Sequence, residues 1–569
     1  MASISGGKGV VESLRAEGVS TVFGLIGSAT MEMFDALYDA DDVRYIGVRD
    51  ERTGTHMADG YARASNQTGV ILAGQNGPGV TNLVTGIAQA RAAYSPVVAL
   101  AGSLSTGHVY RDAFQEVDQQ ALFQTVAKKT WTVTQTARLP EMVREAFRTA
   151  MAPRRGPVVL NMPRDILAET FDWQSEPSAG QFSADDFSAG GAKQIDAALT
   201  LLAKAERPLI IAGGGIKNGR SHAQALRLAE AINAPIATSP GHGDAIPYGH
   251  PLNAGQVGPR GNIVASTLAK EADVIIALGT RLGFNTTFYS YDNLNKAAKI
   301  IQIEAEPTAI GRFFPIDVGI LGDAGNVATS LAAEVEALRS NTARERTAEW
   351  TEGFQQKYAA YLIERDANAD AVTGDIIQPA QVYKAMRETF PEDAMVTLDA
   401  GTLCLQATDA LNYHQPPALF SPLDFGLVGF SYACGLGIKA ACPDRTVISL
   451  MGDGGFGMTT SEIGTAVSHR LNTVAVVMNN GCWGAEKAYQ KDFFGQRYIG
   501  ADVPNPPYDK IAELWGAKGF RVEKAKDLEN TLGDAIACGQ PSVVEIAVDP
   551  DALYSFRRDS FQHRAGNQK

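Results

Sequence analysis

The chain has 569 residues, 45% of them hydrophobic and 20% charged, with 57 glycines and a formal net charge of −13. That length gives three or four domains at roughly 150 residues each. The acidic balance, with an isoelectric point near 5.2, argues against nucleic acid or an anionic membrane surface as partner, so local positive charge must hold any anion.

The five cysteines form no CxxC pair and the eight histidines no HExxH pattern, which suits a reducing cytoplasm and gives no zinc signature. No stretch approaches the ~18 apolar residues of a membrane span, and no basic, apolar leader opens the chain. Taken in order, Thr21 to Ile26 reads as a short strand that turns at Gly27-Ser28 into a helix through Met33 and Leu37. Arg44 to Val48 is a further strand, followed by Asp50 and Glu51 at the head of a helix, where acids suit the dipole. Gly69 to Ala73, the turn GQNGPGVTN, a helix to Ala93 and the apolar run Pro96 to Ala101 repeat the strand, turn, helix theme of a parallel sheet. From about residue 169 to 191 the sequence shifts to Ser, Ala, Gly and Asp without sustained periodicity, as linkers do. A second segment has strands at Leu209 to Ala212, Val274 to Leu278 and Ile300 to Ile303. Its AGGGIKNGR turn lacks the GxGxxG spacing of a dinucleotide site. A charged stretch from about 341 to 379 reads as a second linker.

The third segment carries the strongest pattern. Val447 to Met451 is a strand stopped by Gly452-Asp453-Gly454-Gly455; Ile463, Ala466 and Val467 follow at helical spacing, and Thr473 to Met478 is a second buried strand. A right-handed crossover between parallel strands brings Asp453 and Asn480 to one sheet edge, where doubly wound folds bind ligands. A carboxylate and a carboxamide are hard oxygen ligands suited to Mg²⁺ or Ca²⁺. Gly454 and Gly455 lack Cβ atoms, and a helix start offers N–H groups, so a diphosphate is the natural guest. Two ordinary solvent turns are the plainer reading of the same residues. The fold class is therefore α/β, with three doubly wound parallel-sheet domains at 1–170, 190–338 and 375–569.

The pieces GSATM, GPGVTN, GPVVLNMPRDI and the GDG…NN pair of turns resemble the acetohydroxyacid synthase and pyruvate oxidase branch of the thiamine diphosphate enzymes, across nearly the whole chain. More narrowly, GQNGPGVTNLVT, AFQEVDQ, DAIPYGHPLNAG, WGAEK and FRRD are similar to the sulfoacetaldehyde acetyltransferases. The resemblance implies pyrimidine-binding, central and diphosphate-binding domains in that order. It implies thiamine diphosphate and Mg²⁺ as cofactors, and a homodimer or homotetramer with active sites shared between subunits.

Residue by residue, it implies that Asp453, Asn480 and the Cys482 carbonyl hold the metal, while Glu51 exchanges a proton with the pyrimidine N1′ in a pocket where burial raises its pKa. The alternative is that Glu51 merely starts its helix. Pro78 and Asn82 would border the pyrimidine, Val428 would wedge under the bent cofactor, and Gly426 would offer its carbonyl to the amino group. Gly401, Thr402, Gly454, Gly455 and Trp483 complete the expected cofactor contacts. Gln115 and Asn76 would face the reacting carbon, or else satisfy backbone groups. Arg557 and Arg558 suit a sulfonate or phosphate through paired hydrogen bonds, unless they form a solvated face, and Lys487 is a further anion candidate. The implied activity is acyl transfer from sulfoacetaldehyde to phosphate, giving acetyl phosphate and sulfite. The alternative is acetolactate synthase-like decarboxylation and carboligation of 2-oxo acids. The departures GHGDA, GFNTTFYSYD and SFQHR bear on the donor substrate.

Overall fold

Runs of β-branched and aliphatic residues such as VVALAGS and VISLMG form strands that are buried on both faces, as strands between two helix layers must be. The computed structural model describes residues 2–174, 188–337 and 341–556. Among them β1 (Ala2–Ser5) precedes a first six-stranded parallel sheet of β2 (Thr21–Leu25), β3 (Arg44–Gly47), β4 (Gly69–Ala73), β5 (Val97–Ser103), β6 (Lys129–Thr132) and β7 (Val158–Pro163), in the order β3-β2-β4-β5-β7-β6. Strand β8 (Thr170–Trp173) pairs antiparallel with β1. The central sheet runs β11-β10-β9-β12-β13-β14, built from β9 (Pro208–Ala212), β10 (Ile236–Thr238), β11 (Asn253–Gln256), β12 (Val274–Leu278), β13 (Lys299–Glu304) and β14 (Val318–Leu321). The third runs β16-β15-β17-β18-β20-β19, from β15 (Met395–Leu398), β16 (Leu419–Phe420), β17 (Val447–Gly452), β18 (Val474–Asn479), β19 (Lys518–Val522) and β20 (Ser542–Ala547). The first and third sheets thus share one strand order, and the central sheet has another.

Two expectations change. Residues 170–173 belong to a strand, because Phe171 packs its ring over Gly9 of the first helix; of the first expected linker, residues 175–187 lie outside the described residues. The second expected linker is a 30-residue helix, Asn341–Asp370. Its charge-rich composition hides a stripe of Thr347, Trp350, Phe354, Tyr358 and Tyr361 at helical spacing. Trp350 Nε1 donates to the Pro208 carbonyl at 3.0 Å, Phe354 is buried, and the Tyr361 hydroxyl donates to Asp409 at 2.8 Å. The helix therefore ties the central domain to the third.

The outer domains meet face to face. One continuous core runs from Phe23, Ile46 and Ile71 of the first sheet's layer to Tyr432, Phe456 and Val477 of the third. At its centre the helix Glu51–Ser65 crosses the helix Ser431–Ala441 at backbone contact. A Cβ on Gly437 would stand 1.9 Å from the Met57 carbonyl oxygen, and one on Gly60 2.2 Å from that of Cys434. The central domain bolts onto both. Arg220 donates to the carbonyls of Arg63 and Ala64 at the end of the helix Glu51–Ser65. Buried Lys217 pairs with Asp244 at 2.8 Å and donates to the Leu419 carbonyl, while Asp244 accepts from the N–H groups of Ala418 and Leu419. Burial lowers the Lys217 ammonium to about 8, opposed by Asp244.

Candidate active site

Strand order decides where loops from neighbouring strands part and leave a crevice. In the third sheet that point lies between β15 and β17, where the turns after both strands meet the turn after β18. Asp453 is 1% exposed and opens a short helical turn, Asp453–Gly457. Asn480 follows β18, which pairs with β17 in parallel. Its amide oxygen lies 3.0 Å from the Cys482 carbonyl oxygen and 3.1 Å from Asp453 Oδ1. The Cys482 N–H, at 3.3 Å, favours that oxygen's orientation. Turning the amide would let its nitrogen donate to both neighbours; as it stands, its oxygen faces the oxygens of both Asp453 and Cys482. Such a donor set fits a small hard cation. No cluster of three His, Cys, Asp or Glu side chains with that geometry exists among the described residues, so the amide and the carbonyl are what make the site.

Asp453 is itself held. Asn505 Nδ2 donates to its Oδ2 at 2.6 Å, and the Tyr508 hydroxyl donates to its carbonyl at 2.8 Å. Burial raises its carboxyl to about 6, against the hydrogen bonds that favour the anion, and a bound cation would reverse that balance. The two glycines lie close against neighbouring side chains. A Cβ on Gly454 would lie 2.5 Å from the Trp483 ring, and one on Gly455 would lie 3.3 Å from the Asp399 carboxylate. Asp399, fully buried, accepts from the N–H groups of Ala400, Gly429, Phe430 and Ser431, which fixes the segment carrying Gly426 and Val428. Its carboxyl is pushed up to about 6 by burial, with those N–H groups opposing.

A cavity of about 860 Å³ opens beside these turns, with Gly401, Thr402, Gly426, Val428, Asp453 and Trp483 on its wall. Gly401 and Gly426 have φ of 127° and 74°, and a Cβ on either would find nothing within 4 Å, so each meets the cavity with backbone alone. The Thr402 hydroxyl donates to the Tyr554 carbonyl at 3.2 Å, a partner the sequence did not suggest. The Lys487 ammonium pairs with Asp502 at 2.8 Å, and the residue is not on the wall of this cavity. Arg557 and Arg558 lie outside the described residues.

The first sheet has its own crevice between β2 and β4. Glu51 is 3% exposed at the first position of its helix, with Asp50 as N-cap. Asn82 Nδ2 donates to Glu51 Oε2 at 3.0 Å, and a Cβ on Gly79 would intrude to 2.8 Å from Oε1. Burial raises the Glu51 pKa, the Asn82 hydrogen bond and backbone opposing and Asp50 adding to it. The backbone leading into this turn is anchored from the third domain, where Glu462 accepts from the Arg49 N–H and the Thr53 hydroxyl. Pro78 starts the next helix. Asn76 Nδ2 donates to the Gln115 carbonyl at 3.1 Å, and Gln75 Nε2 to Gln115 Oε1 at 2.5 Å. Glu51, Pro78, Asn82, Asn76 and Gln115 thus form one group. None of them lines the cavity beside Asp453.

Sequence reasoning missed Gln75, Asn505 and Glu462. Gln75 stood in plain view before Gly77-Pro78; Asn505 lies in a proline-rich turn, and Glu462 in a helix, with no periodic signal for either contact.

Comparison with known proteins matches the three domains to three family patterns. Residues 4–122 match the thiamine pyrophosphate enzyme N-terminal TPP binding domain, 195–331 the central domain, and 399–546 the C-terminal TPP binding domain. The chain is 37% identical to a sulfoacetaldehyde acetyltransferase of Alcaligenes xylosoxydans xylosoxydans over 97% of its own length and 94% of the relative's. It is 35% identical to one of Castellaniella defragrans over the same shares. The acetolactate synthase isozyme 3 large subunit of Escherichia coli is 31% identical over 94% of this chain and 93% of that one. With a TPP-binding pattern on each outer domain and full-length relatives above 30% identity, the chain belongs to the thiamine diphosphate-dependent enzymes.

Proposed function

We propose that the enzyme converts sulfoacetaldehyde and phosphate to acetyl phosphate and sulfite. The observation that carries this reading is the polar, uncharged wall of Gln75, Asn76 and Gln115 beside Glu51. Amide groups suit the oxygens of a sulfonate or phosphate, whereas carboligation to a second 2-oxo acid calls for an apolar wall. The 37% and 35% identity to relatives named sulfoacetaldehyde acetyltransferase supports the same choice. The C–S bond breaks and a C–O bond to phosphate forms; the aldehyde carbon rises to the acyl level as the methylene carbon falls to methyl, so no external oxidant is needed.

When bound, thiamine diphosphate supplies a nucleophilic carbon and an electron sink for the acyl group. Asp453, Asn480 and the Cys482 carbonyl would hold Mg²⁺, which would screen the diphosphate. Glu51 keeps a proton available at its buried carboxyl for the pyrimidine N1′, with Asn82 fixing the carboxyl plane. Val428, on the segment anchored by Asp399, would support the cofactor's bend, and Pro78 would border its ring. The Glu51 group does not line the cavity beside Asp453, which supports a site made by two copies, Glu51 from one and Asp453 from the other. Exposed Tyr110, Phe114 and Ile26 near the Gln115 group, at 92%, 85% and 60% exposure, support a covered face in a homodimer or homotetramer. The five free cysteines support a cytoplasmic setting.

The test is sulfite release from sulfoacetaldehyde that depends on phosphate, thiamine diphosphate and Mg²⁺. Acetolactate from pyruvate, with no sulfite from sulfoacetaldehyde, would decide for the other chemistry. Mixing Glu51→Gln subunits with Asp453→Ala subunits tests the sharing: a mixed dimer regains one intact site only if sites span two copies.

A further inference from the structure

We infer that Gln75 is a positioning residue: through a one-way chain of amide hydrogen bonds it turns the Gln115 amide so that Nε2 meets the substrate as a donor. The inference rests on the reading above in which Gln115 faces the substrate.

The chain starts at a group that cannot be reversed. A backbone N–H only donates, and that of Ser28 lies 2.9 Å from Gln75 Oε1, with the Ser28 hydroxyl at 3.0 Å from the same atom. That end of Gln75 is therefore the oxygen. The other end, Nε2, can only donate, and it does so to Gln115 Oε1 at 2.5 Å and Asn76 Oδ1 at 3.2 Å. The Gln115 atom facing Gln75 is thus its oxygen. Gln115 Nε2 is left on the far side, turned away from the amides that hold its oxygen. Asn76, its oxygen taken by Gln75, donates Nδ2 to the Gln115 carbonyl at 3.1 Å. Flipping any one amide would set two donors or two acceptors face to face, leaving half-buried polar groups unpaired.

The loop geometry keeps these distances short. Gln115 has φ of 63°, and Gly77 beneath it has φ of 61°. A Cβ on Gly77 would come within 2.6 Å of the Gln115 carbonyl oxygen, so the loop rides directly on the turn that carries Gln75 and Asn76. Glu116 closes the same loop by accepting from the N–H groups of Tyr110 and Ala113. The consequence is specificity by polarity. A fixed donor favours a substrate oxygen that bears or gains negative charge, such as an aldehyde oxygen or a sulfonate oxygen, and disfavours a group that must itself donate.

The experiment is a double-mutant cycle on the holoenzyme. The carboxylate introduced by Gln75→Glu can accept from Ser28 but cannot donate, so Gln115 should turn over and present its oxygen. We expect kcat/KM to fall roughly tenfold to a hundredfold with thiamine diphosphate affinity unchanged. Gln115→Leu should show a similar loss, and adding Gln75→Glu to it should cost nothing more. Unchanged kcat/KM in Gln75→Glu, or losses that multiply in the double variant, would overturn the inference. If the wild type makes acetolactate and no sulfite, the reaction assignment fails while the cycle is still scored on pyruvate. Neutron diffraction from deuterated crystals reads the amide directly and needs no substrate. The wild type should show the Gln115 deuterons directed away from Gln75, and the Gln75→Glu variant should show them directed toward the new carboxylate; deuterons facing Gln75 in the wild type would refute the inference.

Discussion

The first and third domains share a strand order and open their crevices at equivalent points, between β2 and β4 in one and between β15 and β17 in the other, yet their chemistry is opposite. In the third domain the turns gather oxygens at a place suited to a cation, with the Asn480 amide oxygen 3.0 Å from the Cys482 carbonyl oxygen and 3.1 Å from Asp453 Oδ1. In the first the corresponding turns gather neutral amides around one protonatable acid, Glu51. Topology sets where a site can be; the few residues in the turns decide whether it holds charge or moves a proton.

The sharpest way to break that contrast is Asp453→Ala. Loss of the only charged oxygen in the cluster should weaken cofactor retention more than about a hundredfold, measured by thiamine diphosphate titration at fixed Mg²⁺, and unchanged affinity would remove Asp453 from the cation site. Glu51→Gln should do the reverse. The cofactor still binds, but hydrogen–deuterium exchange at its C2 slows by about 10²–10⁴-fold; normal exchange by NMR would show that Glu51 takes no part. Next comes the contact between the two domains. Gly437→Ala forces the helices apart where a Cβ has 1.9 Å, and should lower stability by about 1–3 kcal/mol, read from denaturant midpoints. Asn505→Ala, which releases one oxygen of Asp453, should weaken metal-dependent binding about tenfold. Smallest of all, Lys487→Ala removes a half-exposed pair with Asp502 worth about 0–1 kcal/mol, so KM should move by less than about twofold; a larger rise would place Lys487 in the substrate site.

Much of this was legible in the sequence. Three parallel sheets follow from short β-branched runs, many of them ended by glycine, and the meeting of Asp453 with Asn480 follows from the handedness of one crossover. Other features were not. The helix Asn341–Asp370 read as a linker because its apolar stripe is diluted by charge and mixed with Thr and Tyr. The pairing of Lys487 with Asp502 was not legible, because spacing shows which turn a residue follows, not which way a long side chain swings. That Glu51 does not line the cavity beside Asp453 was suggested only by the family resemblance, which implies sites shared between subunits; helical periodicity is blind to how two domains of one chain are docked. Gln75 shows a further limit: its identity was visible, but its role depends on which end of the amide meets the Ser28 N–H.

The backbone contact between Gly60 and Cys434, and between Gly437 and Met57, also governs how the protein is made. The helix bearing Glu51 leaves the ribosome early, while the helix that covers its buried face is encoded roughly 380 residues later. At about 5–20 residues per second the first domain waits on the order of tens of seconds with that face uncovered. A finished sheet whose apolar layer lacks its partner is prone to stick to other nascent chains, so the same shared core that joins the two domains leaves an apolar face open while the chain is being made.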